Sequence, residues 1–404
     1  MSDDVAPVRE QSRIQSLDVM RGFAVLGILI VNAAFFAAPW QTSMNPNLAP
    51  LAVGEDTLWS WFIMHVFFEY KCITLFSILF GASIYMVGGE RDDKARGGVL
   101  TRRLFWLLIF GLIHALLIWY GDILVTYALT GFLVMLARSW SPRVLLIVGV
   151  ILFLLSTAMQ SMFALVIDYI PQGKLVEVKG EIFAPPAEEM SAIIAAYQGG
   201  FVSALQQNIT TWTEFIASAI VGLILRTAGV MMIGMALFKL GFLSGRSPVW
   251  VYALMLTLGA AALAVIGYQA WLNAEADFAF RHMMAGGAFA NTALSIFVSL
   301  GYASLFVLIV KAGIGLITGP LAAVGRMAFT NYITQSLIMT TIFWSGRGLG
   351  LYGEIDRPTL MGVVVAVWVL QLIWSPLWLA RFQMGPLEWL WRRLSYGRPV
   401  AMAK

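Results

Sequence analysis

About ten apolar stretches divide this chain, near residues 17–38, 57–87, 104–120, 123–137, 144–170, 211–238, 249–272, 288–310, 320–344 and 359–380. Roughly 20 apolar residues cross a bilayer as a helix, so the pattern predicts an all-α, polytopic transmembrane helix bundle of about ten spans. The stretch at 123–137 is the shortest. Polar connections divide the chain into an N-terminal arm at 1–16, a membrane half at 17–170, an external loop at 171–210 and a second membrane half at 211–404 with a basic tail. The first run, Phe23 to Ala38, has the length of a signal-peptide core. Asp18 and Arg21 stand immediately before it, however, and nine further spans follow, so it is expected to remain as a span.

Lysine and arginine counts orient the bundle. With the N-terminus inside, the cytoplasmic segments hold Arg9, Arg13, the cluster Arg91, Lys94, Arg96, Arg102 and Arg103, then Arg138, Arg143, Lys239, Arg246 and Lys311, and in the tail Arg381, Arg392, Arg393, Arg398 and Lys404. The outer segments hold only Lys174, Lys179, Arg281, Arg347 and Arg357. Both termini are therefore expected to be cytoplasmic. Residues 187–207 can form an amphipathic helix on the outer surface or a plain loop. The tail from Gly385 to Arg393 pairs tryptophans with arginines, a pattern suited to the interface and its anionic headgroups.

Several spans carry polar groups at depth, where a charge is costly and by default marks function. At 1.5 Å per residue, His65 lies roughly 10 Å below the outer end of the second span, and Glu69 and Lys71 lie roughly 17–20 Å below it. His114 lies roughly 15 Å above the inner end of the third span. Arg226 in the sixth span and Asn331 in the ninth fall at comparable depth, so these groups are expected to share one layer near the midplane. His65 and Glu69 are four residues apart and share a helix face. Lys71 points about 200° away from Glu69 on an ideal helix and needs another partner. Asn331 and Gln335 share a face, and Arg326 precedes them near the inner surface. Asp122, in Trp119-Tyr120-Gly121-Asp122, is expected in a turn at the outer surface. For single buried histidines and asparagines the competing reading is interhelical hydrogen bonding without chemistry. For Asp18 and Arg21 it is an ion pair that locks the first helix.

Composition removes other classes. With 60% hydrophobic and 12% charged residues, and a mean hydropathy of +0.81, a soluble globular class is excluded. The pI near 9.2 follows from the topological bias of the basic residues, so no nucleic acid is expected as partner. One cysteine, Cys72, cannot form an internal disulfide. No zinc or iron–sulfur spacing occurs, and histidines at 65, 114 and 282 are too scattered to suggest a metal site. Oligomeric state stays open between monomer and homodimer.

The opening, Arg13-Ile14-Gln15-Ser16-Leu17-Asp18-Val19-Met20-Arg21-Gly22-Phe23-Ala24, followed by an apolar run that ends in Asn32, resembles the start of a membrane acyltransferase superfamily. The likeness is greatest to the YeiB-like family (domain of unknown function 418). Four further stretches carry it: Lys71 with Leu75-Phe76-Ser77-Ile78-Leu79-Phe80-Gly81; Gly111-Leu112-Ile113-His114-Ala115 through Gly121-Asp122-Ile123-Leu124; Gly325-Arg326-Met327-Ala328-Phe329-Thr330-Asn331-Tyr332; and Gly385-Pro386-Leu387-Glu388-Trp389-Leu390-Trp391-Arg392. The N-terminal half is also similar to the heparan-glucosaminide acetyltransferase family, which moves acetyl from cytosolic acetyl-CoA to an amino sugar across a membrane. That resemblance implies an Asn late in the first helix, matched by Asn32, and a catalytic His in the following loop. The loop from Ala33 to Asp56 contains no histidine, so any general base must be His114 or His65.

Two functions follow as expectations. The first is transfer of an acyl group from cytoplasmic acyl-CoA or acetyl-CoA to a small-molecule or lipid acceptor at the outer face. In it His114 or His65 is the base, Glu69 orients His65, Asn32 is the oxyanion donor, and Asp18, Arg21 and the cluster from Arg91 to Arg103 hold the coenzyme's phosphates. The second is transport of a small anionic metabolite or lipid, because Lys71 and Arg226 outweigh Glu69. A bacterial cytoplasmic (inner) membrane is the location that the family resemblance implies.

Overall fold

The computed structural model describes residues 14–404, and within them the chain is helical almost throughout. Its helices are α1 (Gln15–Ala37), α2 (Gln41–Met44), α3 (Glu55–Phe67), α4 (Lys71–Gly88), α5 (Lys94–Ile113), α6 (Leu124–Val134), α7 (Pro142–Val166), α8 (Gln172–Ile182), α9 (Ala187–Gln198), α10 (Phe201–Lys239), α11 (Val249–Glu275), α12 (Phe280–His282), α13 (Ala288–Lys311), α14 (Gly315–Arg326), α15 (Ala328–Phe343), α16 (Arg357–Arg381) and α17 (Pro386–Tyr396). Among the described residues there is no strand beyond one isolated bridge between Phe382 and Ala403. The expected all-α membrane bundle is the fold. Most of the N-terminal arm, with Arg9 and Arg13, lies outside the described residues.

Eight helical segments among the described residues are long and apolar enough to cross a bilayer. Two expected spans take other forms. The fourth is a short helix, Leu124–Ala137. The ninth breaks at Met327 into α14 and α15, of 12 and 16 residues, each too short to cross alone. The second is continuous in sequence over Glu55–Gly88 but also breaks, between α3 and α4. Finally, α10 runs for 39 residues, about 58 Å at 1.5 Å per residue. It therefore begins ten residues before the expected span, and residues 201–210, expected in the loop at 171–210, are its first turns. Gly200, with φ of +97°, provides the left-handed turn between α9 and α10 that other residues resist.

The connections sort into two groups. At one end Ser16 Oγ donates to the Leu243 carbonyl (2.9 Å), Arg91 N to Ser139 Oγ (2.7 Å), Lys239 Nζ to the Arg138 carbonyl (2.6 Å) and Arg102 Nε to the Ser395 carbonyl (2.6 Å). At the other end Gly353 N donates to the Ala37 carbonyl (2.7 Å), Asn47 Nδ2 to Asp277 (2.8 Å) and Gln198 Nε2 to the Tyr352 carbonyl (2.8 Å). The first group is the arginine-rich one. Between the two ends, large apolar side chains on α7 (Ile147, Ile151, Leu154) and α16 (Val365, Val369, Ile373) are half or more exposed, as a lipid-facing surface requires.

Inside the bundle, helices meet through small residues, because in lipid it is packing rather than the hydrophobic effect that joins them. At the crossing of α1 and α14, a Cβ on Gly22 would stand 1.9 Å from the Leu321 carbonyl oxygen, and one on Gly325 1.9 Å from that of Asp18. Backbone lies on both sides, so nothing can yield. Gly325→Val is therefore expected to destabilise the protein by about 1–3 kcal/mol or more, visible as a lowered thermal midpoint in detergent.

Candidate functional site

The polar residues singled out in the sequence fall into separate networks, and the most chemically organised is centred on His114. α5 ends in a π-helical turn over His114–Ile118, a local form concentrated at functional sites. Trp119 is then extended, and the chain folds back so that Asp122 enters the bundle before α6 begins. This corrects the expectation of a surface turn: the Asp122 side chain is fully buried, and the short fourth helix is short because it starts below the surface. Asp122 Oδ1 accepts from Val125 N at 2.8 Å, capping α6, while Oδ2 lies 2.7 Å from His114 Nδ1. On the other edge of the ring, His114 Nε2 lies 2.9 Å from Ser336 Oγ, on α15. A carboxylate only accepts, so the ring proton belongs on Nδ1 and the lone pair on Nε2 faces the serine hydroxyl.

The π turn leaves carbonyls that α-helical bonding does not use, and the protein supplies donors for them. Asn208 Nδ2 donates to the carbonyls of Ala115 (2.8 Å) and Leu116 (3.3 Å). Arg347 reaches in from the loop between α15 and α16 to the carbonyls of Ile118 (3.0 Å) and Leu117. Two polar groups beside the histidine lack an acceptor. The Tyr332 hydroxyl is buried without an acceptor, its ring 5.1 Å from the imidazole, and Trp119 Nε1 is buried without a partner. Trp119 stacks on Phe36 at 4.0 Å. Asn32 lies one turn before Phe36 on the same face of α1, half-buried and without a hydrogen-bond partner among the described residues.

A second network fills the break between α3 and α4, where Tyr70 adopts φ of +62°, a strained value for a bulky residue. His65 Nδ1 lies 2.5 Å from Glu69 Oε2, and Trp61 stacks on the imidazole at 4.7 Å. Because the break separates Glu69 from Lys71, the ideal-helix angle between them does not apply. Lys71, wholly buried, donates to the His65 carbonyl (2.7 Å) and to Asn291 Oδ1; Asn291 Nδ2 in turn donates to Glu69 Oε2 at 3.1 Å. Arg226 does not join them. Its Nη2 donates to the Thr292 carbonyl (3.1 Å) and Ser295 Oγ (2.8 Å), and its guanidinium lies over the rings of Phe153 (4.9 Å) and Tyr70 (5.4 Å). Among the described residues no hydrogen bond links this network to the His114 relay, so the single midplane layer expected from depth alone is divided.

Asn331, Gln335 and Arg326 serve the break at Met327. Asn331 Nδ2 donates to the Val324 carbonyl (3.1 Å) and Ser375 Oγ (3.1 Å), and Trp374 Nε1 donates to Asn331 Oδ1 (2.8 Å). Gln335 Nε2 donates to Gln371 Oε1 at 2.8 Å, and Arg326 Nη2 to the Gln383 carbonyl at 3.0 Å. Glu388, from the tail, caps the first turn of α15: Oε1 accepts from Phe329 N (2.7 Å) and Thr330 N (3.1 Å), and Oε2 from Thr330 Oγ1 (2.5 Å). Burial pushes this carboxyl above its ordinary range, against the pull of those donors. Glu388→Ala is expected to cost about 1–2 kcal/mol, the value of a lost helix cap, with protection of the Phe329 and Thr330 amides from hydrogen exchange reduced first.

At the basic end Asp18 Oδ1 accepts from Arg21 Nη1 at 2.9 Å. Arg21, Arg103 and Arg392 stand close enough for each charge to act on the others, and Arg103 lies over the Trp391 ring at 4.1 Å. The tail helix is thus docked on α5 as well as suited to the interface.

Ser336, Tyr332, Asn291, Asn208 and Glu388 were not singled out in the sequence. Glu388 lay inside a quoted motif, and its acidic side chain among arginines and tryptophans was the available signal. For Ser336 and Asn291 there was none, since one serine or asparagine in an apolar run is ordinary.

Fold and site together define a multi-pass helical membrane protein with an organised polar interior. The chain belongs to the YeiB-like family: residues 237–398 match the family described as "Protein of unknown function (DUF418)", and full-length relatives agree. It is 32% identical to "Uncharacterized protein YxaH" of Bacillus subtilis (strain 168), over 98% of each chain. It is 31% identical to "Uncharacterized protein YeiB" of Escherichia coli (strain K12), over 94% of this chain and 95% of that one. No solved structure matches it.

Proposed function

We propose that the protein transfers an acyl group from cytoplasmic acyl-CoA to a small-molecule or lipid acceptor at the outer face of a bacterial cytoplasmic membrane, with both termini cytoplasmic. The observation that carries this reading is the buried Asp122–His114–Ser336 relay, in which a carboxylate orients an imidazole whose free lone pair faces a hydroxyl. Such an arrangement withdraws a proton from an attacking hydroxyl and returns it to a leaving group. Two further features support it. Asn32, without a hydrogen-bond partner among the described residues, and the Tyr332 and Trp119 donors would serve a developing oxyanion. Arg21, Arg103 and Arg392 converge at the basic end, where guanidiniums suit phosphate, which supports a coenzyme A site on the cytoplasmic side. His65 is also oriented by a carboxylate, Glu69, but among the described residues only His114 has a hydroxyl against its second ring nitrogen, so His114 is the base in this reading.

A specific observation favours a second reading. The break at Tyr70, with Lys71, Glu69 and Asn291 around it, is the discontinuous-helix form that transporter sites take. Calorimetry of acetyl-CoA binding to purified protein separates the two. The acyltransferase reading expects micromolar binding that Arg21→Ala abolishes. Folded wild type that binds neither acetyl-CoA nor a long-chain acyl-CoA overturns it, and uptake of an anion without any acyl donor establishes transport.

A further inference from the structure

We infer that Ser336 is a nucleophile that carries the acyl group as a covalent ester between donor and acceptor, so that transfer proceeds in two half-reactions. This rests on the acyltransferase reading and goes beyond it. A general base acting directly on the acceptor needs its lone pair open to that acceptor. Here His114 Nε2 faces the protein's own hydroxyl, at 2.9 Å, whose other acceptor is the Tyr332 carbonyl at 3.4 Å. The other edge of the ring is held by Asp122 at 2.7 Å, and Asp122 by the Val125 amide at 2.8 Å, so the ring cannot swing away without breaking both. All three side chains are buried.

The surroundings fit the chemistry of an acyl-enzyme. Tyr332 is one turn before Ser336 on the same face of α15, and its hydroxyl, buried, has no acceptor; Trp119 Nε1 is buried beside the relay without a partner. Leaving buried donors unpaired costs free energy, and a carbonyl oxygen presented to Ser336 gives them an acceptor. Exclusion of bulk water protects an ester intermediate from hydrolysis.

In the first half-reaction the Ser336 hydroxyl proton passes to His114 Nε2 and Oγ attacks the thioester carbonyl. The C–S bond breaks, and the thiolate takes the proton from His114 and leaves as free coenzyme A. In the second, the acceptor hydroxyl or amine gives its proton to His114 and attacks the Ser336 ester. The bond from the acyl carbon to Oγ breaks, and Oγ recovers the proton. No oxidant or further reactant is needed. A covalent waypoint within the bundle also explains how donor and acceptor react without meeting, since the coenzyme's phosphates keep it on the basic side.

The test incubates the purified full-length protein with acetyl-CoA, and separately with palmitoyl-CoA, without acceptor, and follows coenzyme A release and the acyl mass on proteolytic peptides. The expected result is a stoichiometric burst of coenzyme A and one hydroxylamine-labile acyl group on the peptide containing Ser336. Ser336→Ala abolishes both; Ser336→Cys, which keeps a nucleophile of similar size, holds the acyl group as a thioester. Thermal melts confirm that each variant is folded. If, once a bacterial envelope extract is added as acceptor, wild type and Ser336→Ala both turn over acyl-CoA, with rates within a few-fold of each other and no adduct in either, transfer is direct: the inference fails and the acyltransferase reading stands. If folded wild type cleaves neither acyl-CoA, with or without the extract, that reading fails and the inference with it.

Discussion

His114→Ala is expected to lower acyl transfer by about 10³–10⁴-fold while leaving the protein folded and still able to bind acyl-CoA. The magnitude is that of removing a general base, or a member of a hydrogen-bonded triad, from other enzymes. The reason lies in the position of the imidazole: it is the only group in the relay able to shuttle a proton, with Asp122 on one edge and Ser336 on the other. Asp122→Asn is expected to lose a comparable factor. An amide can donate to Nδ1, which would move the ring proton to Nε2 and take away the lone pair that faces Ser336. Coenzyme A release under saturating acetyl-CoA, with binding measured separately, checks both. A parallel loss of binding would mean that the substitutions disturb the fold and not the chemistry.

The second large effect concerns stability. Glu69→Ala is expected to destabilise the protein by about 3–5 kcal/mol, the cost of removing one member of a buried charged network. Glu69 accepts from Asn291 and pairs with His65. Asn291 and the His65 carbonyl are the hydrogen-bond partners of the Lys71 ammonium, which is wholly buried. Taking away the carboxylate leaves that ammonium without a nearby counter-charge and loosens both groups that hold it. Thermal unfolding in detergent should show a large drop for Glu69→Ala and a small one for Ser336→Ala. Equal and small drops would mean that the break at Tyr70 is held by packing alone.

How much of this the sequence could reveal follows from what carries each feature. Spans were legible because crossing a bilayer needs a long apolar run, and eight helical segments have it. The breaks at Tyr70 and Met327 were not, since the charges beside them (Glu69 and Lys71, and Arg326) read equally well as polar groups on continuous helices, and each break is stabilised by residues far away in the chain: Asn291 and Ser299 in one case, Gln371, Ser375 and Glu388 in the other. The importance of His114 was legible from its depth, but its partners were not. Asp122 was expected at the surface because a Gly-Asp turn after a span usually ends there; the π turn and the fold-back that bury it depend on Asn208 and Arg347, 94 and 233 residues away from His114 along the chain. Depth estimated span by span also merged two networks that the lateral arrangement of helices keeps apart.

The most direct test of the account seals the protein in liposomes with acetyl-CoA confined to the face that carries the basic tail, and a bacterial envelope extract as acceptor on the other. The account predicts that coenzyme A appears only on the donor side and the acetyl label only in acceptor on the opposite side, both lost in His114→Ala. Intact acetyl-CoA retained by folded wild type, or label crossing equally well with His114→Ala, would contradict it.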